Sequence, residues 1–229
     1  IRLPVVIGSL LAGSASAAAA MLANRSLLSV IDLTQPAFSV IIAPPVEEAF
    51  KMAYLLLLFR RKRIGFMVDG AIHGFAIGAG FALVENTEYL IQLNDSHPLL
   101  WIVRGLGTAV MHGGTTSILA ILTLLITERR GIFRTGHAVP GYLAAVLIHS
   151  LFNAPVCPVL VKTGAQLFLL PALISIVFIR SEKGVQKWLE IGLDSDVQIL
   201  EFVLSGHVGE TRIGQYLANL KARFQGPVM

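Results

Sequence analysis

The sequence predicts an all-α protein: a polytopic transmembrane bundle of about seven membrane helices, followed by a small helical polar tail. Three observations carry that prediction. The 229 residues are 55% hydrophobic and only 14% charged, whereas a soluble domain carries about 25% charged residues. The apolar residues collect in long runs, several of them near the ~20 residues that a helix needs to cross a bilayer. The basic residues sit in short clusters between those runs. Such a composition excludes a disordered chain, a fibrous repeat and a disulfide scaffold, and the single cysteine, Cys157, allows no internal disulfide. The lipid bilayer is thus the chain's main solvent.

Seven runs are candidates for spanning helices: 3–22, 27–43, 46–59, 66–92, 98–127, 137–155 and 163–179. The first carries a small-residue stretch, GSASAAAA, which reads as a packing face. Pro36 threatens the second, and Pro44 with Pro45 fix where the third can begin. In the fourth, Gly70, Gly74 and Gly78 recur every four residues on one close-packing face. Pro155 and Pro158 end the sixth. Residues 1–180 form one transmembrane domain, and residues 181–229 form a polar tail.

Basic loops orient the bundle, because Lys and Arg in short connections favour the cytoplasmic side. Arg60, Arg61, Lys62 and Arg63 make the strongest such loop, followed by Arg129, Arg130 and Arg134, and then by Arg180, Lys183 and Lys187. With all three inside, the loops at 95–97 and 154–162 lie outside and the tail is cytoplasmic in a multi-pass cell-membrane protein. Counting seven crossings also puts Asn24 and Arg25 inside and Ile1 outside.

Ionisable groups within spanning segments are costly, so they usually face the bundle interior and mark a site. Here they form stripes: Glu47 and Glu48 one turn before Lys51, Phe81 before Glu85, Arg104 and Thr108 before His112 and Thr116, and His149 before Asn153. Depth tests whether the stripes meet. At a rise of 1.5 Å per residue, Glu48 lies about 18 Å from the level of Arg60, Glu85 about 22 Å from Gly70, His112 about 22 Å from Thr127 and His149 about 21 Å from Thr135. Four helices therefore bring carboxylates and imidazoles to one level in the outward half of the membrane. Asp32 and His73 fall at other levels; His73 beside Asp69 reads as structural, and His97 and His137 as surface residues.

Carboxylates and imidazoles converging in an apolar setting suit hydrolysis of a peptide bond, which needs a base for water, an electrophile for the oxyanion and an acid for the leaving amine. Glu48 or Glu47 supplies the base, His112 and His149 polarise the carbonyl, and the Asn153 amide donates to the oxyanion. A metal reading uses the same groups, with Glu85, His112 and His149 as a two-histidine, one-carboxylate zinc set and Glu48 as base. No compact motif such as HExxH is present, which favours a metal-free glutamate mechanism over zinc.

The run PPVEEAFK from Pro44 to Lys51, then FALVEN from Phe81 to Asn86, His112, and HSLFN from His149 to Asn153 resemble the motifs of the PrsW family of intramembrane proteases, related to the CAAX prenyl endopeptidases. Those families carry an EExxK or EExxxR motif, a phenylalanine four residues before a glutamate or histidine, and a final HxxxN or HxxxD. The resemblance covers about Pro44 to Asn153. It implies an endopeptidase with Glu47, Glu48, Glu85, His112, His149 and Asn153 as catalytic residues and Lys51, Phe81 and Arg104 in support. It also implies a transmembrane protein substrate, such as an anti-sigma-factor-like protein, cut in regulated intramembrane proteolysis.

The tail carries 5 Lys and Arg against 6 Asp and Glu, which disfavours a nucleic-acid partner. Its apolar residues between Val185 and Leu204 predict one or two short amphipathic helices after Gly184, interrupted near Gly192. Ile213, Tyr216, Leu217 and Leu220 predict another. Packing beneath the bundle, lying on the membrane and homodimer formation are its candidate roles. A proton-coupled transporter and a non-enzymatic receptor or scaffold are the alternatives to the protease for the whole chain; inverted repeats would favour transport, and none is evident.

Overall fold

The computed structural model describes residues 3–93 and 102–204 and is all-helical, with no strand among them. The helices are α1 (Leu3–Leu28), α2 (Gln35–Ile41), α3 (Ala43–Arg60), α4 (Met67–Leu93), α5 (Ala109–Arg130), α6 (Val139–Asn153) and α7 (Val159–Leu204). A π-helical turn, Ile102–Thr108, leads into α5, and a 3₁₀ turn, Thr135–Ala138, leads into α6. The chain divides into two compact units, Ile1–Ser181 and Glu182–Met229. The site lies in the first.

Among the described residues, four stretches are long and apolar enough to cross a membrane: Leu3–Leu28, Met67–Ile91, Gly105–Arg130 and Leu160–Val177. The outer surface agrees with a lipid solvent. On α6, Leu143, Leu147 and Leu151 point outward at four-residue steps, while Gly141, Ala145 and His149 are buried on the opposite side. The largest fully buried side chains, by contrast, include Lys51, His73, His112, His149 and Glu48.

The second expected span does not exist as one helix. A coil from Ser29 onward separates α1 from α2, and Pro36 sits in the first turn of α2, where its missing N–H and fixed φ do no harm. Pro44 and Pro45 do the same for α3. At seven residues, or roughly 10 Å, α2 cannot cross a bilayer. Losing that crossing reverses the direction expected for α1. It runs parallel to α4: Ser9 meets His73, Ser14 meets Gly80 and Arg25 meets Glu88. Asn24 and Arg25 therefore lie at the opposite end from the Arg60–Arg63 loop, not beside it.

Close helix contacts set the geometry. A Cβ at Gly78 would lie 2.1 Å from the His112 carbonyl oxygen, and one at Gly13 would lie 1.9 Å from that of Ile77. Only glycine permits these backbones to approach so closely. The basic ends of α3, α5 and α6 are tied by the Arg60 guanidinium donating to Thr135 Oγ1 at 3.1 Å and by Phe59 stacked on Phe133. An apolar core of Leu55, Leu58, Phe59, Ile77, Leu119 and Leu124 fills the half of the bundle toward that end. The polar cluster occupies the other half.

Two further expectations change. The fifth segment is not uniformly α-helical, because Gly105 and Gly107 fall in the π-helical turn, and a Cβ at Gly107 would meet the Thr163 side chain at 2.7 Å. A four-residue step no longer repeats a face in that turn, so the expected stripe starts at Thr108; the side chain of Arg104 lies outside the described residues. The tail helix is not interrupted: α7 continues through Gly184 and Gly192 to Leu204. An internal glycine costs only about 1 kcal/mol relative to alanine, too little to end an established helix. The loop at 95–97 and the stretch from Ile213 to Leu220 lie outside the described residues.

Candidate active site

The functional side chains reach the site from four helices, at the end away from the basic loops. The first turns of α3 deliver Glu47, Glu48 and Lys51, the later turns of α4 deliver Phe81 and Glu85, the start of α5 delivers His112, and the end of α6 delivers His149 and Asn153. Tyr142 Oη donates to the Pro45 carbonyl at 2.9 Å, and Asn153 Nδ2 donates to the Ser39 carbonyl at 2.9 Å. These two bonds fasten α6 to the α2–α3 corner and so set where α3 begins.

Glu48 and Lys51 are both fully buried, with Lys51 Nζ 2.5 Å from Glu48 Oε1. The same ammonium reaches His112 Nδ1 at 3.0 Å and lies 4.8 Å from the centre of the Phe81 ring. Because an ammonium only donates, His112 Nδ1 accepts, which leaves the ring proton on Nε2 to bond Glu85 Oε2 at 2.6 Å. His149 Nδ1 bonds Glu48 Oε1 at 2.9 Å, and its Nε2 then faces Glu47 Oε2 at 3.7 Å. The two imidazoles meet edge to face with centroids 4.8 Å apart.

The adjacent glutamates have different surroundings. Glu48 Oε1 receives Lys51 and His149, with the Thr115 hydroxyl at 3.3 Å. Glu47 Oε1 receives Asn24 Nδ2 at 3.1 Å, and the buried Oε2 of each glutamate has no hydrogen-bond partner among the described residues. Glu47 and Glu85 also line a cavity of about 490 Å³, together with Asn24, Arg25, Phe81 and Asn153. His112 and His149 stand behind those two carboxylates and connect to the cavity through them.

A family profile described as PrsW family intramembrane metalloprotease matches residues 2–204. The chain belongs to the PrsW family. It is accordingly a membrane protease, and its apolar helices agree with that placement. No curated protein and no solved structure matches it significantly.

The PrsW match extends well beyond the motif-bearing stretch and includes α1. That helix contributes what sequence reasoning missed: Asn24 on Glu47, and Arg25 in a close ion pair with Glu88 at the cavity rim. An Asn-Arg pair after an apolar run reads as a loop, and only the continuation of α1 to Leu28 places it in the site. His73, buried against Ser9 at 2.9 Å, and the exposed Asp32 stay apart from the cluster.

For a metal, the carboxylate that groups with both histidines is Glu47 rather than the expected Glu85: one donor atom from each of Glu47, His112 and His149 lies within 4.8 Å of the others. This PrsW site fits a divalent cation by two tests. Glu47 Oε2 is a buried acceptor without a hydrogen bond among the described residues. His149 carries the carboxylate partner on its other nitrogen that metal-binding histidines commonly have. Written as ions, three carboxylates against Lys51 leave an excess of two negative charges, and a divalent cation would balance them.

Proposed function

We propose that this chain hydrolyses a peptide bond of a membrane-embedded or membrane-proximal protein at the outward end of the bundle, with Glu47, His112 and His149 as the ligands of a divalent metal. The observation that carries the reading is Oε2 of the cavity-lining Glu47, which lacks a hydrogen bond among the described residues and faces His149 Nε2 at 3.7 Å. When bound, such a metal supplies Lewis acidity and a water acidic enough to attack near neutral pH. The remaining work falls to the chain itself. Glu85 lines the same cavity and takes the proton of the attacking water. Glu48 and Lys51 fix the two rings from the buried side. One amide hydrogen of Asn153 is held by Ser39, and the other is available for the carbonyl oxygen of the substrate.

A metal-free variant has its own support, because both nitrogens of His112 are engaged by protein partners, Lys51 and Glu85. In that variant Glu47 Oε2 takes the proton from water, the second amide hydrogen of Asn153 polarises the carbonyl, and the histidines hold Glu85 and Glu48 in place. The substrate class that suits either variant is a single-span signalling protein, of the anti-sigma-factor kind, cut on the outward side with the basic loops and the tail in the cytoplasm.

One purified preparation separates the variants. Under the metal reading, elemental analysis finds about one equivalent of zinc, a chelator removes cleavage of a single-span test peptide and added zinc restores it. Glu47→Gln then loses both metal and activity. Activity that survives chelation with far less than one equivalent present, yet is lost in Glu47→Gln, selects the metal-free variant. Parental cleavage by Glu47→Gln overturns both.

A further inference from the structure

We propose that Asn24, at the end of α1, positions Glu47 and accepts a backbone N–H of the bound peptide. The inference rests on the reading of Glu47 given above. Asn24 Nδ2 donates to Glu47 Oε1 at 3.1 Å, and because a carboxylate only accepts, this bond also fixes which end of the amide faces Glu47. A carboxylate held at one oxygen presents the other in a set direction, here toward His149 Nε2 at 3.7 Å.

The second half of the amide supplies an independent observation. Asn24 Oδ1 is buried and without a hydrogen-bond partner among the described residues, and Asn24 lines the same cavity as Glu47. Buried acceptors are costly to leave without donors. Two of them beside one cavity suit donors that arrive with a ligand. An extended peptide offers such donors as main-chain N–H groups, whatever its side chains. The end of α1 is held for this task by the Arg25–Glu88 ion pair, and its middle by the Ser14 hydroxyl donating to the Gly80 carbonyl at 3.0 Å. None of the motif residues between Pro44 and Asn153 makes this contact with Glu47.

The test uses the full chain in detergent or reconstituted vesicles, with Asn24→Ala and the isosteric Asn24→Asp. Three quantities are read: kcat and KM on a fluorogenic single-span peptide, the dissociation constant for Zn²⁺ by chelator competition, and the thermal midpoint. Partners of metal ligands typically matter by about 10–100-fold in affinity or activity. A fall of that size in kcat or in Zn²⁺ affinity, at an unchanged thermal midpoint, is expected in both variants, and Asn24→Ala should also raise KM. Should Asn24→Ala fail to fold, Asn24→Asp decides by the same readings. Parental kcat, KM and Zn²⁺ affinity in a folded variant overturn the proposal; the reading of Glu47 then stands if Glu47→Gln is still inactive. If the parent binds no Zn²⁺ while the variants still lose kcat, Asn24 keeps its role and the metal reading fails.

Discussion

Glu47 and Glu48 are neighbours in sequence, but a helix of 3.6 residues per turn sends their side chains about 100° apart. One reaches the cavity; the other is sealed against Lys51 and His149. Their neutral variants should therefore fail differently. Glu48→Gln leaves the Lys51 ammonium buried without its counter-charge, and breaking a buried pair costs about 3–5 kcal/mol. Glu47→Gln removes the cavity-facing carboxylate, with an expected loss of about 10²–10⁴-fold in kcat and little change in stability. Unfolding titrations beside kcat measurements check this, and equal stability loss in both variants would contradict the division of labour. The sequence showed that both acids and Lys51 lie on one turn. It did not show which acid faces the cavity, because that depends on where α5 and α6 place their histidines.

At the scale of the helix pair, Gly70, Gly74 and Gly78 were legible as a close-packing face, yet their spacing does not rank them. The structure does. A methyl group at Gly70 would meet Ala120 Cβ at 3.5 Å, an ordinary contact, whereas one at Gly78 would lie 2.1 Å from the backbone oxygen of His112. Gly78→Ala should therefore push α5 away and carry His112 with it, at about 1–3 kcal/mol of stability and with a loss of activity. Gly70→Ala should be neutral or slightly stabilising, since alanine is the better helix former. Comparable behaviour of the two variants in thermal unfolding and cleavage would refute this account of the α4–α5 contact. Less legible were the elements whose conformation is decided by neighbours. Pro36 signalled a break in the apolar run at 27–43, but not that the run holds only a seven-residue helix, and nothing in the spacing of residues 102–108 signalled a π-helical turn whose Gly107 lies close to the Thr163 side chain.

Across the whole bundle, one miscounted crossing changes where the N-terminal helix points. Reading 27–43 as a span places the α1–α2 connection beside the basic loops, whereas the contacts of α1 with α4 place it with the site. Three surface positions separate these topologies. Val30 lies in the α1–α2 connection, Cys157 follows α6 at the site end, and Ile132 lies between the basic residues Arg130 and Arg134; all three are exposed. Ile132 and Val30 can be replaced without removing a basic charge, which keeps the orienting signal intact. With Cys157 as the native thiol, and Val30→Cys or Ile132→Cys each placed in a Cys157→Ser background, a membrane-impermeant maleimide added to intact cells should label Cys157 and Val30→Cys. It should label Ile132→Cys only after permeabilisation. Protection of Val30→Cys together with labelling of Cys157 would contradict the parallel arrangement of α1 and α4. Labelling of Ile132→Cys alone would leave the fold intact and reverse its orientation, moving the cavity, and with it the cleavage of any substrate, to the cytoplasmic side.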